Sequence, residues 1–96
     1  MAIGLVATIT IQEGKNKEFE AIFSELAAAV IANEPGNNFY ALHKSRDSET
    51  TYVVMEQYKD QAALEAHGAS EHMKTIGGKL GSVMGGRPEV QYLDAV

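Results

Sequence analysis

The sequence predicts an α+β domain in which one antiparallel sheet carries helices on one of its faces. Four segments alternate in period two and are rich in β-branched or aromatic side chains, which is typical of strands. Between them, apolar residues recur at steps of three and four, which is typical of helices that pack on a sheet. The order strand, helix, strand, strand, helix, strand predicts the ferredoxin-like βαββαβ arrangement, with two helices on one face.

The first third of the chain is predicted to form a strand and a long helix. Residues Ala2 to Gln12 alternate without a charge, which indicates a strand that is covered on both sides. Residues Lys15 to Asn33 carry an apolar stripe with helical spacing, and Asn16 is a candidate N-cap. The helix should stop at Asn33-Glu34-Pro35-Gly36, because proline cannot continue a helix and glycine permits a reversal.

Two strands joined by a polar turn are predicted next, at Asn38 to Ser45 and at Thr51 to Tyr58. In the second of these strands, Glu56 shares a face with aromatic and apolar residues. A carboxylate in that register departs from the pattern. We therefore expect Glu56 to lie either at an edge of the sheet or in a pocket.

Two helical stretches are predicted after these strands. Asp60 is a good N-cap for a short helix from Gln61 to His67, which Gly68 would end. Ser70 can cap a second helix, which runs from Glu71 to about Met84. Glycines are frequent near the end of this second helix and weaken it, although its apolar residues keep helical spacing.

The final predicted strand, Val90 to Val96, completes a sheet whose second face the helices cannot cover. That second face carries residues such as valine, leucine, tyrosine and alanine rather than charges. Two such faces could pack against each other. The sequence therefore predicts a homodimer, with a barrel-like interior between the sheets and the helices: a dimeric α/β barrel.

Composition limits the classes of function. Ninety-six residues suit a single domain, 1–96, and the 8 basic and 13 acidic residues give a net charge of -5. This charge argues against a nucleic-acid partner, whose phosphates call for clustered lysine and arginine. No apolar run approaches the ~20 residues that span a bilayer, and no signal peptide is recognised, so a cytoplasmic protein without membrane contact is expected.

Several segments match one known family. They are Gly14 leading to Phe19, Glu34-Pro35-Gly36 with Tyr40 and Leu42 after it, Glu56-Gln57-Tyr58, Ala63-Leu64 leading to His67, then Ser70, His72 and Met73, and finally Pro88-Glu89-Val90. On these residues the chain resembles the antibiotic biosynthesis monooxygenase (ABM) domain family, small dimeric α/β-barrel proteins that include quinol monooxygenases. The resemblance covers nearly the whole chain. It implies a cofactor-independent monooxygenase acting on quinol-like or polycyclic aromatic small molecules.

The candidate catalytic residues are His67, His72 and Glu56. Histidine titrates near neutrality and suits proton transfer, and a buried carboxylate can orient a histidine or accept the proton itself. The resemblance also implies a pocket for a small aromatic substrate. Its expected lining residues are Tyr40, Tyr52, Tyr58, Met73 and Tyr92. Met73 stands where the family usually has phenylalanine, and Tyr58 stands where the family frequently has tryptophan.

Other interpretations of the same residues stay open. His67 can be a helix-terminal histidine favoured by the helix dipole, and His72 a surface residue. Glu56 can be an ion-pair partner, the tyrosines can simply pack on the sheet, and His43 is expected to be structural. The superfamily also includes isomerases, haem-degrading enzymes and proteins with no known reaction. An isomerase, a haem-degrading enzyme and a non-enzymatic ligand-binding or stress-associated barrel are therefore the alternatives.

No metal site and no cofactor are predicted. Cysteine is absent, and His67 and His72 are five residues apart across a helix break, which is not the spacing of a helical zinc motif. No spacing in the sequence places three ligands together. A site made from both histidines and Glu56 is the alternative.

Overall fold

The computed structural model describes residues 1–96 and has the predicted order of elements, including the two helices predicted between the third and fourth strands. The elements are β1 (Ile3–Thr10), α1 (Asn16–Asn33), β2 (Asn37–Lys44), β3 (Thr51–Tyr58), α2 (Gln61–Ala69), α3 (Glu71–Gly81) and β4 (Glu89–Asp94). The strands form one sheet in the order β2-β3-β1-β4, and every neighbouring pair is antiparallel. The ferredoxin-like prediction is confirmed.

The core lies between the helices and one face of the sheet. Alternate residues of β1 and β3 meet across this face in the pairs Leu5–Glu56, Ala7–Val54 and Ile9–Tyr52. The helices contribute the buried side chains of Phe19, Phe23, Leu26 and Val30 from α1, and of Ile76 and Leu80 from α3. Because strand residues alternate between faces, this register turns Glu56 toward the helices and into the interior.

Two predicted helix caps are confirmed. The Asp60 carboxylate accepts a hydrogen bond from the backbone N–H of Ala63 at 2.8 Å, and the Ser70 hydroxyl accepts one from Met73 at 3.3 Å. Helix α2 passes through Gly68 and ends at Ala69, so the predicted last helical residue, His67, is two residues too early. Ser70 ends α2 and begins α3, which fixes the angle between the two helices.

The predicted cap at Asn16 is wrong. Lys15 occupies the N-cap position and makes no side-chain cap bond. The Asn16 side chain instead donates to the Glu49 carbonyl oxygen at 2.7 Å and to the Tyr52 hydroxyl at 3.0 Å. The long-range partners on the β2–β3 connection and on β3 therefore replace the local cap.

The carboxyl-terminal elements are shorter than predicted. Helix α3 ends at Gly81 rather than near Met84, and Met84 forms an isolated antiparallel bridge with Ile11. Gly85 lies against the backbone of Ile11, where an added Cβ would approach the carbonyl oxygen to 3.3 Å. This close approach favours glycine at position 85. Strand β4 then starts at Glu89 and ends at Asp94.

The second face of the sheet carries no helix. Phe39 on β2, Met55 on β3 and Leu93 on β4 are 45%, 43% and 45% exposed. The register places Val6 and Gly4 of β1 between Met55 and Leu93 on this same face. Every strand thus contributes apolar or small residues to the uncovered face, although the same register also places His43, Gln57, Glu89 and Gln91 there. No helix in the chain has the length and apolar character required to cross a membrane.

Candidate active site

Glu56 lies inside the molecule, not at an edge. Strand β3 has neighbours on both sides, so of the two predicted placements only the pocket is observed. The Tyr58 hydroxyl donates a hydrogen bond to Glu56 Oε1 at 2.8 Å. Burial raises the pKa of Glu56, while this hydrogen bond and the nearby His67 act in the opposite direction. Glu56 therefore holds its proton more readily than a carboxyl group in water.

His67 stands next to Glu56 at the end of α2. It lies in the last turn of the helix, and its side chain is 8% exposed. Its Nδ1 lies 2.9 Å and 3.0 Å from the two carboxylate oxygens of Glu34. Its Nε2 lies 3.9 Å from Glu56 Oε1, which is beyond hydrogen-bonding distance.

The free ring nitrogen of His67 faces accessible space. Every fully buried side-chain nitrogen or oxygen atom in the molecule has a hydrogen-bond partner. His67 Nε2 has no hydrogen-bond partner, so this atom is not fully buried and retains accessible surface. His67 and Glu56 both line the main cavity, so Nε2 is the atom of this cluster that a bound molecule can meet.

Glu34 is the member of the site that sequence reasoning missed. It is the C-cap residue of α1, and its backbone N–H donates to the Val30 carbonyl oxygen at 2.9 Å. Its side chain is 8% exposed and accepts from both His67 and His72. The segment containing Glu34 predicted only a helix stop. The one available signal was that Glu34-Pro35-Gly36 belongs to the segments that resemble the ABM family.

His72 lies on the opposite side of Glu34 from the main cavity. It sits in the first turn of α3, and its Nε2 contacts Glu34 Oε2. The His72 side chain is 13% exposed and lines a separate surface groove of about 400 Å³ together with Glu34, Lys59 and Asp60. The two predicted histidines are thus brought together, but through Glu34 rather than through Glu56.

The main cavity has a volume of about 850 Å³ and a predominantly apolar lining. It lies between the helix-covered face of β1 and the side chains of α1, α2, α3 and β4. Three of the five predicted pocket residues line it: Tyr40, Met73 and Tyr92. Glu56, His67 and Asp94 are its acidic and basic lining residues, and its apolar walls include Leu5, Phe23, Leu64, Leu80 and Met84.

Tyr52 and Tyr58 do not line this cavity. Tyr52 is buried in the core with its ring centre 4.7 Å from that of Phe19, and its hydroxyl contacts Glu20. Tyr58 is fully buried, and its hydroxyl is engaged by Glu56. Both predicted pocket positions are therefore corrected: these tyrosines pack the sheet, and Tyr58 also orients the Glu56 carboxylate.

Tyr40 is held rigidly beside His67. Its ring stacks on Phe23 with centres 5.3 Å apart and an angle of 4° between the planes, and it lies 5.6 Å from the His67 ring. Burial raises the pKa of Tyr40, and the charges of Glu56 and Glu34 raise it further. The hydroxyl therefore remains protonated and can donate a hydrogen bond to a ligand.

One group of residues could hold a metal ion. Ligand atoms of Glu34, His67 and His72 all lie within 4.8 Å of one another. The spacing argument did not find this set, because its third member comes from the end of α1, far from both histidines in the chain. The alternative set with Glu56 in place of Glu34 is not formed.

Comparisons with known proteins agree with this fold. The sequence profile described as antibiotic biosynthesis monooxygenase matches residues 2–78. The protein YcnE of Bacillus subtilis (strain 168) is 33% identical over 72 residues, which is 75% of this chain and 75% of YcnE.

Solved structures are similar over almost the whole chain. A Caulobacter crescentus CB15 crystal structure, whose description names the same family, is 45% identical with a TM-score of 0.96, covering 99% of this chain and 90% of that one. SnoaB, a cofactor-independent oxygenase from Streptomyces nogalater, is 24% identical with a TM-score of 0.85, covering 99% and 93%. At that identity, the likeness to SnoaB concerns the fold alone.

Proposed function

Because the chain belongs to the antibiotic biosynthesis monooxygenase family, we propose that it is a cofactor-independent monooxygenase of quinol-like or polycyclic aromatic small molecules. The observation that carries this proposal is the main cavity. Among its mainly apolar walls stand the ionisable groups Glu56, His67 and Asp94, and His67 Nε2 is the basic atom without a hydrogen-bond partner. A flat aromatic molecule of ordinary ligand size fits about 850 Å³.

In the proposed reaction, His67 is the base. Glu34 accepts the Nδ1–H of the imidazole, which leaves the Nε2 lone pair directed toward the cavity. A general base needs this geometry, because it must reach the substrate proton within hydrogen-bonding distance. The Glu34 carboxylate also stabilises the imidazolium that forms when Nε2 takes the proton, as the carboxylate does in a catalytic triad.

The substrate supplies the electrons for oxygen activation. For a substrate with a CH₂ group beside a ring ketone, deprotonation leaves a carbanion that donates electrons to O₂. One oxygen atom forms a new bond to that carbon, and the other leaves as water with the two substrate hydrogens. The net change of CH₂ and O₂ into C=O and H₂O balances without an external reductant. The protonated Tyr40 can donate a hydrogen bond to the oxygen on which negative charge develops.

We also propose that the chain is a homodimer formed through the uncovered face of the sheet. Phe39, Met55 and Leu93 are exposed there, and monomeric proteins rarely leave large contiguous apolar patches in water. Among the strand residues of this face, Glu89 is the one carboxylate, so most of the net charge of -5 lies elsewhere. A cytoplasmic location also stays a prediction.

The reaction is tested in two steps. Thermal shift with reduced quinones, anthrones and haem should select the ligands that raise apparent stability, because binding to the native state alone does so. The selected aromatic ligands are then incubated with ¹⁸O₂, and oxygen uptake and product mass are measured. The proposal predicts one labelled oxygen atom per product. Binding without oxygen uptake would favour the isomerase or ligand-binding alternatives, and stabilisation by haem alone would favour the haem-degrading one.

A further inference from the structure

The Glu34–His67–His72 cluster has the composition of a metal site. A carboxylate and two imidazoles converge from three separate elements: the end of α1, the last turn of α2 and the first turn of α3. Their ligand atoms lie within 4.8 Å of one another, and all three side chains are at least 87% buried. Two histidines and one carboxylate form a ligand set used for Zn²⁺ and Fe²⁺ in proteins.

A tetrahedral ion requires a wider separation between Glu34 and the two imidazoles than the structure has. Zinc bonds of about 2.0–2.2 Å place neighbouring ligand atoms about 3.4 Å apart. His67 Nδ1 and Glu34 Oε1 are 2.9 Å apart, and His72 Nε2 lies still closer to Glu34 Oε2, so both imidazoles must move away from the carboxylate to admit the ion. The groove of about 400 Å³ beside Glu34 and His72 gives access from outside and room for a water ligand.

The ligands have supporting contacts as well. Glu56 Oε1 lies 3.9 Å from His67 Nε2, beyond hydrogen-bonding distance but on the side where metal-bound histidines commonly have a carboxylate. The Ser70 hydroxyl donates to the His67 carbonyl oxygen at 2.8 Å and accepts from the Met73 N–H, which ties the ends of α2 and α3 together. The two histidines are thus fixed relative to each other by the backbone.

We propose that Glu34, His67 and His72 bind one divalent transition-metal ion of the Zn²⁺ class, through one Glu34 oxygen, His67 Nδ1 and His72 Nε2. A neutral imidazole that binds a metal through Nδ1 carries its proton on Nε2. The cavity-facing nitrogen of His67 then becomes a hydrogen-bond donor. Metal binding therefore removes the Nε2 lone pair that would accept a substrate proton. This consequence for catalysis rests on the proposed function, but the proposal that the metal binds does not.

The experiment measures binding without any substrate. Chelator-treated protein is titrated with Zn²⁺ in a calorimeter and with Co²⁺ under visible absorption, and long-range ¹H–¹⁵N NMR follows the histidine rings. We expect one ion per chain, a Co²⁺ ligand-field band, and a shift of His67 to the Nε2–H form. Glu34→Gln and His72→Gln should each weaken binding at least about 100-fold, since even supporting residues cost 10- to 100-fold.

His43→Gln is the matched control, because His43 lies on β2 on the face of the sheet opposite the helices that carry the cluster. It should bind as tightly as the unaltered chain, and circular dichroism checks that each variant is folded. The proposal is overturned if Zn²⁺ does not bind at one ion per chain, or if folded Glu34→Gln and His72→Gln bind unchanged. Equal loss in His43→Gln, or unshifted His67 resonances, would overturn it too. None of these results bears on oxygen uptake by the metal-free protein.

Discussion

Glu34 and His67, 33 residues apart in the chain, meet through both carboxylate oxygens and Nδ1 at 2.9 Å and 3.0 Å. The contact joins the end of α1 to the end of α2 beneath the main cavity. It fixes which nitrogen of His67 is engaged and which faces the cavity. The predictions on activity below depend on this orientation.

Glu34→Gln should lower turnover while leaving the cavity intact. The amide has nearly the same shape but cannot neutralise an imidazolium, and it can present its NH₂ group to Nδ1 and favour the wrong tautomer. We expect a loss between about 10- and 10⁴-fold, chiefly in kcat. Steady-state kinetics on the quinol or anthrone selected by thermal shift measure it. An unchanged kcat in a folded Glu34→Gln variant would contradict the proposed role of Glu34 in orienting His67 and stabilising its imidazolium.

Glu56→Gln should change how stability depends on pH. Because burial raises the pKa of Glu56, the folded chain keeps this proton to higher pH than the unfolded chain does. The stability that the folded chain gains by holding the Glu56 proton is complete below the ordinary pKa of glutamate. It is lost as pH rises through the folded-state pKa of Glu56. The melting temperature of Glu56→Gln relative to the unaltered chain should therefore increase as pH rises above about 4.5. A pH-independent difference would contradict the direction of the shift.

Met55→Glu should dissociate the proposed dimer. Met55 is 43% exposed at the middle of the uncovered sheet face, and a charge buried there without a partner costs several kcal/mol. Light scattering coupled to size exclusion should give about twice the 10.4 kDa chain mass for the unaltered chain and the mass of one chain for Met55→Glu. Ile31→Glu is the control, since Ile31 is 73% exposed on α1 and should leave the mass unchanged. A monomer in the unaltered chain would contradict the proposed interface.

Zinc should suppress oxygen uptake, and a chelator should restore it. If the metal binds Nδ1 of His67, the imidazole proton lies on Nε2. Nε2 can then no longer accept a proton from the substrate. Inhibition should follow the occupancy measured by calorimetry and weaken in His72→Gln by the same factor as binding. Stimulation of turnover by stoichiometric zinc would instead give the metal a role in the chemistry.

Local patterns in the sequence were enough to predict the elements. The alternation in β3 places Glu56 among apolar residues, and the N-caps at Asp60 and Ser70 mark where α2 and α3 begin. Interactions within a few residues determine these features. Their boundaries shifted where distant parts of the chain intervene, as at Met84, which pairs with Ile11 instead of extending α3.

The site was predicted only in part, because it depends on contacts between distant residues. His67 and Glu56 could be placed near each other, since the strand that carries Glu56 leads directly into α2. Glu34 could not, because its contact with two histidines needs both α1 and α2 to pack against α3. Tyr52 and Tyr58 share a face with Glu56, but periodicity does not show how deeply a side chain is buried.

The most direct test of the central claim compares oxygen uptake by metal-free His67→Ala and His43→Ala on the same aromatic substrate. Loss of one positioned base typically costs 10²- to 10⁴-fold, or roughly 3 to 5 kcal/mol of activation barrier. We predict a loss in that range for His67→Ala, at a melting temperature that shows it is folded, and little change for His43→Ala. Wild-type turnover in folded His67→Ala would contradict the claim that His67 is the base.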